Sequence, residues 1–308
     1  MTQLVLEQAL NGLQFGLMLF LLAAGLTLVF GIMDMINLAH GSLYMIGAYL
    51  AAAVAAATGS FWAGVLAAAG GTALVGALLE VALLRRFYAR DHLSQVLATF
   101  ALILIANEVV RMIWGPQPVM LSMPEALSGP VELNVMNVEL AYPAYRLLII
   151  GVGIAVAALL WLLVTRTRVG MWVRAGAANR EMTQQLGVDV RRLFTALFAV
   201  GSALAALAGA FLGPLLAVQV GMGENILILA FVVIVIGGIG SIRGALVGSL
   251  LVGIVDTLGR ALLPPLLRGM ASPEVAGNLG PALASILIYL LMTAVLFWKP
   301  EGLFPARG

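Results

Sequence analysis

Two polar stretches interrupt otherwise apolar sequence and supply the groups that could do chemistry. The first places an amide, an imidazole and a hydroxyl close together at Asn37, His40, Gly41 and Ser42. The second combines backbone flexibility with another hydroxyl at Gly237, Gly238, Gly240 and Ser241. A serine and a histidine form a nucleophile and base only within hydrogen-bond reach. No protease-like motif surrounds either residue, so a polar helix break is favoured over a hydrolase site.

A third stretch, residues 165–192, carries six of the sixteen basic residues and lies between long apolar runs. An Arg-rich loop between membrane spans is typical of the cytoplasmic side. Asn179 suits a helix N-cap, and Gly187 suits the left-handed residue after a helix. Ala178, Met182 and Leu186 recur every four residues. We therefore predict a short cytoplasmic helix from 180 to 186 with one apolar face.

The elements that position these residues are membrane helices. The 308 residues are 62% hydrophobic and 10% charged, with a mean hydropathy of +1.09, which is too apolar for a soluble domain. Several runs reach the roughly 20 apolar residues needed to cross a bilayer. The 35 glycines fit closely packed membrane helices, and the absence of cysteine excludes thiolate sites. The composition predicts an all-α polytopic membrane protein forming one domain over residues 1–308, with no metal, cofactor or nucleic acid.

The charge pattern predicts the topology. Eight or nine crossings are expected, with broken or re-entrant segments and an outer N-terminus if there are nine. The spans are predicted at 10–30, 43–57, 61–84, 93–114, 147–164, 193–218, 225–240, 245–263 and 283–298. Residues 115–145 contain three glutamates and no basic residue before Tyr145, so this loop is expected outside.

Four further acidic residues lie within or beside the predicted spans. Glu108 with Arg111 and Asp256 with Arg260 have the spacing of pairs on one helix face. We interpret both as structural pairs near an interface in preference to a substrate path. Glu80 and Glu224 are expected at the membrane interface.

The motifs resemble those of one transporter family. The arginine-rich loop is similar to the cytoplasmic coupling loop of ATP-binding-cassette (ABC) importer permeases, at Thr167-Arg168-Val169-Gly170, Arg174-Ala175, Asn179 and Leu186-Gly187-Val188. Residues 37–42 resemble the N-F-A-H-G signature of H-type branched-chain amino acid permease subunits, with leucine replacing the aromatic residue. Residues 237–245 resemble the G-G-x-G-S-x-x-G-A motif of the same family.

The resemblance implies roles for these residues. ATPase coupling is assigned to Arg174, Ala178, Asn179, Met182, Leu186 and Gly187. Translocation or gating is assigned to Asn37, His40, Gly41, Ser42, Gly237, Gly238, Gly240 and Ser241. It also implies a second, M-type permease subunit, two cytoplasmic ATPase subunits, a periplasmic solute-binding protein and a location in the bacterial inner membrane, surrounded by lipid.

Several alternatives stay open at this stage. Related permeases move urea, short amides or aromatic acids instead of branched-chain amino acids. A stand-alone channel or secondary transporter would also use broken helices. His40 has three readings, which are a tie between helix ends, a gating residue and a direct substrate contact. A simpler interpretation of the 165–192 loop is that its arginines only fix the orientation of the protein in the membrane.

Overall fold

The computed structural model describes residues 2–135, 138–269 and 272–305, and within these ranges the chain is almost entirely helical. The α-helices are α1 Thr2–Met33, α2 His40–Thr58, α3 Phe61–Ala82, α4 His92–Trp114, α5 Ala144–Arg166, α6 Arg168–Ala178, α7 Arg180–Gln185, α8 Val190–Leu212, α9 Met222–Gly237, α10 Ile242–Arg268 and α11 Pro273–Trp298. Short 3-10 helices occupy Leu84–Phe87 and Glu125–Leu127. The predicted all-α class is confirmed.

Eight helices in the described ranges are long and apolar enough to cross a membrane. Helix α9 is also apolar but has only 16 residues, and α6 and α7 in the arginine-rich stretch are shorter still. Each predicted span overlaps one of these eight helices or α9. Helices α1, α10 and α11 are longer than expected, whereas α8 ends at Leu212, six residues before the predicted end, and α9 ends at Gly237, three residues before it. A pattern of apolar residues cannot locate the end of a helix that continues into the interface, because polar residues are tolerated there.

The fold is organised around α1. Its apolar segment is 83% buried inside the protein, whereas that of α4 is 17% buried. Helix α1 packs against α5, α8, α9 and α10. A helix that is apolar on every side and surrounded by other helices belongs to the core of the bundle. The remaining helices therefore separate α1 from the lipid.

Glycines allow the central helices to approach closely. Added Cβ atoms at Gly12 and Gly16 of α1 would meet the α10 backbone at 2.8 Å. A Cβ at Gly209 of α8 would lie 2.2 Å from the Tyr44 carbonyl oxygen of α2. Contacts this short leave no room for a methyl group, so the backbones themselves form the packing surface.

The loop between α4 and α5, which was predicted to lie outside, is more ordered than the sequence indicated. It contains an antiparallel hairpin, β1 Pro130–Val135 and β2 Val138–Pro143, while residues 136 and 137 lie outside the described ranges. Leu140 and Tyr142 of this hairpin form a small apolar cluster with Leu17 of α1 and Ile150 of α5. Outside the hairpin, Val119 pairs with Val218 in the connection before α9. The loop therefore packs onto the start of the central bundle.

We expect Gly209→Ala to destabilise the subunit. The new methyl group would press on the backbone of α2, and overpacking of this kind costs about 1–3 kcal/mol. Gly151→Ala is the matched control, because nothing lies within 4 Å of its added Cβ and alanine favours a helix. Thermal unfolding of the purified variants in detergent measures the difference. Equal melting temperatures would contradict the proposed close contact.

Candidate functional site

The first polar stretch forms a true break between α1 and α2. Helix α1 ends at Met33, Asp34 adopts the left-handed conformation with φ of 51°, and α2 begins at His40. Asn37 and His40 are completely buried. The His40 ring lies against Gly25 of α1, where an added Cβ would approach Nε2 to 2.8 Å. The break predicted from the sequence is therefore present at the expected place.

Two side chains of this break are both polar and buried. Within the described ranges, neither ring nitrogen of His40 and neither amide atom of Asn37 has a hydrogen-bond partner. The interpretation of His40 as a tie between helix ends stays a prediction. Ser42 is buried in the first turn of α2, and the Gly41 backbone contacts that of Gly223 in α9.

Two residues from elsewhere in the chain hold the break. The guanidinium of Arg180, the first residue of α7, donates to the Met33 carbonyl oxygen at 3.0 Å. The Ile36 amide donates to the side-chain oxygen of Gln95 in α4 at 3.3 Å. Gln95 also donates to two carbonyl oxygens between α3 and α4, at Phe87 and Arg90. The sequence contained no local signal for either contact, because the partners are 147 and 59 residues apart.

The second polar stretch forms the turn between α9 and α10. Gly238 and Gly240 have φ of 103° and 82°, which a residue with a side chain rarely adopts. Ser241 caps α10 by accepting a hydrogen bond from the Gly244 amide at 3.1 Å. Gly237 packs directly against Gly244. The Ser241 hydroxyl is thus a helix cap, and no hydrogen bond joins it to His40 in the described structure.

The two breaks meet on one side of the molecule. An added Cβ at Gly31, near the end of α1, would lie 2.6 Å from the Gly240 Cα atom. The chain beyond α11 closes the same region, since the Leu303 and Phe304 amides donate to the carbonyl oxygens of Ile236 and Gly237 at 2.9 Å each. The end of α1 therefore lies beside the second break. Gly41, however, packs against Gly223 at the start of α9, about 21 Å along that helix from Gly237, so the structure does not gather the residues assigned to translocation or gating into one cluster. The contribution of residues 303 and 304 has no signal in the sequence.

The arginine-rich stretch contains two helices instead of one. Helices α6 and α7 meet at Asn179, whose side chain accepts from the Met182 amide at 2.9 Å, as its predicted N-cap role requires. Gly187 is left-handed with φ of 87°, also as predicted. The expectation that Ala178 shares a helix with Met182 and Leu186 is wrong. Ala178 ends α6, because the extended backbone of Asn179 separates the two helices.

The surface of α7 is nevertheless apolar at two exposed positions. Met182 is 58% exposed, and Leu186, which directly follows the last helical residue, is 82% exposed. Arg174 points elsewhere, because its guanidinium donates to the Val164 carbonyl oxygen at the end of α5. Arg174 therefore fixes the angle between α5 and α6, and the exposed apolar surface consists of Met182 and Leu186.

A buried network of charged and polar side chains around Glu80 lies next to α7. Glu80, in the last turn of α3, is completely buried inside the protein, which the sequence did not indicate. It accepts hydrogen bonds from Arg85, Tyr88 and Thr195 at distances between 2.6 and 3.1 Å. Burial and the hydrogen bond to Glu80 raise the pKa of Tyr88, which keeps its hydroxyl protonated. The Arg180 guanidinium lies 4.6 Å from the ring centroid of Phe194, within the range of cation–π attraction.

Comparisons with known proteins agree with the motifs. A family model described as branched-chain amino acid transport system / permease component matches residues 8–296. The chain is 30% identical to the high-affinity branched-chain amino acid transport system permease protein BraD of Pseudomonas aeruginosa, covering 97% of this chain and 95% of the relative. It is 30% identical to the corresponding protein LivH of Escherichia coli K12, covering 96% of each.

A relative of lower sequence identity carries a similar description. The chain is 27% identical to the probable branched-chain amino acid transport permease protein LivH of Methanocaldococcus jannaschii, covering 93% of this chain and 88% of the relative. No solved structure matches the chain.

Glu80→Gln should lower the stability of the subunit. The amide keeps the shape of the carboxylate but leaves Arg85 without its ionic partner, at a cost of about 1–3 kcal/mol. Glu108→Gln is the control, because Glu108 and Arg111 are both more than half exposed and such pairs contribute little. Melting temperatures of the two purified variants test this. An equal drop in melting temperature in both variants would show that the burial of Glu80 does not increase its contribution to stability.

Proposed function

The chain belongs to the family of branched-chain amino acid transport system permease components, and from this we propose that it lines a path for branched-chain or related amino acids. It is the membrane-spanning permease component of an ABC importer and not an enzyme. The observation that carries the proposal is the match over nearly the whole chain, together with a bundle of eight membrane-spanning helices. This family assignment also decides against a stand-alone channel or secondary transporter.

The proposed complex requires other subunits. The sequence contains no G-x-x-x-x-G-K-[ST] motif, so ATP is bound by separate polypeptides. We propose two cytoplasmic ATPase subunits, a second, M-type permease subunit and a periplasmic solute-binding protein as partners. The location would be a bacterial inner membrane, with the arginine-rich side facing the cytoplasm.

We propose that the ATPase docks on Met182 and Leu186. Two large apolar side chains exposed among arginines on a rigid, capped helix are unfavourable in water, and burying them against a partner stabilises a complex. Arg180 supports a role in coupling, because it joins this helix to the carbonyl oxygen of Met33 at the α1–α2 break. Movement of α7 would then act directly on the segment that carries Asn37 and His40.

Met182→Asp combined with Leu186→Asp should abolish ATPase binding. Burial of each side chain contributes on the order of 1.5–3 kcal/mol, and each ~1.4 kcal/mol corresponds to a factor of ten in affinity. Co-purification of the ATPase with the membrane subunit is the measurement. The matched control is Met120→Asp with Leu216→Asp, since these exposed residues lie in the outer connections. A double variant that inserts normally, retains its ATPase and still transports would make this loop only a topological anchor.

The substrate is tested with the assembled importer and its binding protein. Leucine, isoleucine or valine should stimulate ATP hydrolysis and accumulate inside reconstituted vesicles, as expected from the family. Urea, a short amide and an aromatic acid serve as the comparison solutes. Stimulation by one of these alone would place the chain in another branch with the same mechanism.

A further inference from the structure

A cleft between α1 and α10 combines both signs of charge with apolar walls. Its volume is ≈ 380 Å³, within the range of small-ligand pockets at about 300–1,000 Å³. The lining residues are Gln8, Phe15, Asp256, Thr257, Arg260 and Ala261. Asp256 is only 7% exposed, so a nearly buried carboxylate faces this space.

Asp256 and Arg260 hold each other in a fixed arrangement. The Nε atom of Arg260 donates to Oδ1 of Asp256 at 2.8 Å, and Nη2 donates to the Ser285 hydroxyl of α11 at 3.3 Å. In the described ranges, Oδ2 of Asp256 and Nη1 of Arg260 have no protein partner. An anionic and a cationic group are thus both available to a ligand.

The pair lies within the predicted span 245–263, towards the end that is followed by the loop before α11. At about 1.5 Å per residue, Asp256 is roughly 21 Å and Arg260 roughly 27 Å along α10 from its first residue. Beyond Arg260 the helix continues through apolar residues 261–267 before Arg268. Ionisable groups within the membrane face a protein partner or a water-filled space. The side chain of Arg260 is 50% exposed in the isolated subunit, so we expect this face to border water or a partner subunit in the assembled complex.

We propose that this cleft is a binding site for a zwitterionic, apolar α-amino acid on its way through the membrane. The substrate carboxylate would accept hydrogen bonds from the Arg260 guanidinium, and its ammonium group would donate to the free oxygen of Asp256. Phe15 and Ala261 would contact the apolar side chain. This assignment rests on the proposed transport of branched-chain amino acids and adds the residues that recognise them.

Two other cavities lack this combination. The outer cavity of ≈ 610 Å³ beside residues 120–126 has one charged lining residue, Glu125. The cavity of ≈ 320 Å³ beside α7 is lined by three arginines and no carboxylate. Neither offers partners of both signs to a zwitterion.

Protection from thiol labelling tests the site directly. The chain has no cysteine, so Ala261→Cys introduces a single thiol in the cleft. In the assembled importer, leucine should slow the labelling of this subunit by a small maleimide. The analogues 4-methylpentanoate, which lacks the ammonium group, and 3-methylbutylamine, which lacks the carboxylate, should protect less at the same concentration. The proposal is overturned if the thiol is not labelled, if leucine gives no protection, or if both analogues protect the thiol as well as leucine does.

A neutral double variant separates recognition from structure. Asp256→Asn with Arg260→Gln keeps hydrogen-bonding side chains and leaves no unpaired charge. We expect normal assembly but leucine uptake lowered about tenfold or more, equivalent to about 1.4 kcal/mol, and loss of the protection of Ala261→Cys. Glu108→Gln with Arg111→Gln is the control pair and should transport normally.

The outcomes also separate this site from the function of the chain. If the unaltered importer transports leucine and the neutral double variant transports equally well, Asp256 and Arg260 are a structural pair and only the site is wrong. If the unaltered importer neither transports leucine nor responds to it, the proposed function itself is wrong. If the double variant fails to assemble, the labelling experiment decides, because the Ala261→Cys variant retains the native Asp256 and Arg260.

Discussion

A helix that ends near a membrane must find partners for its last carbonyl groups, because the hydrocarbon core supplies no water to bind them. This requirement organises the side of the molecule at which α1 and α9 end. The end of α1 is bound by the Arg180 guanidinium, and the end of α9 by the amides of Leu303 and Phe304. Segments distant in sequence are therefore drawn to the two breaks, and the close contact between Gly31 and Gly240 becomes possible.

The same requirement gives Arg180 several simultaneous contacts. Its guanidinium binds the Met33 carbonyl oxygen and lies over Phe194, while its backbone begins the helix that exposes Met182. A lysine would keep the charge but lose the planar group that stacks and donates in fixed directions. The proposed docking helix is thus joined to the α1–α2 break through one side chain instead of through a flexible loop. This geometry supports transmission of movement over a short distance.

Local features of the structure were predictable from the sequence, and contacts between distant segments were not. The Asn179 cap, the left-handed Gly187 and the break at residues 34–39 follow from residue types at neighbouring positions. The long-range hydrogen bonds of Arg180 and Gln95 have no signal in the sequence pattern, since each partner is a backbone atom that any residue supplies. The burial of Glu80 could not be predicted for a related reason, because it depends on Arg85, Tyr88 and Thr195 meeting it in three dimensions. The hairpin between α4 and α5 was missed because an acidic, proline-containing sequence also fits an irregular loop.

The hydrogen bonds at the α1–α2 break indicate which contacts restrain this segment. Asn37 and His40 form no side-chain hydrogen bond in the described structure, so a change in this segment need not break one there. Two of the bonds that tie the break to distant segments come from Gln95 and Arg180. Gln95 is anchored to the connection between α3 and α4, whereas Arg180 belongs to α7, the proposed docking helix. Of these two contacts, the one from Arg180 would therefore follow a movement of α7, while the one from Gln95 would keep Ile36 attached to the bundle.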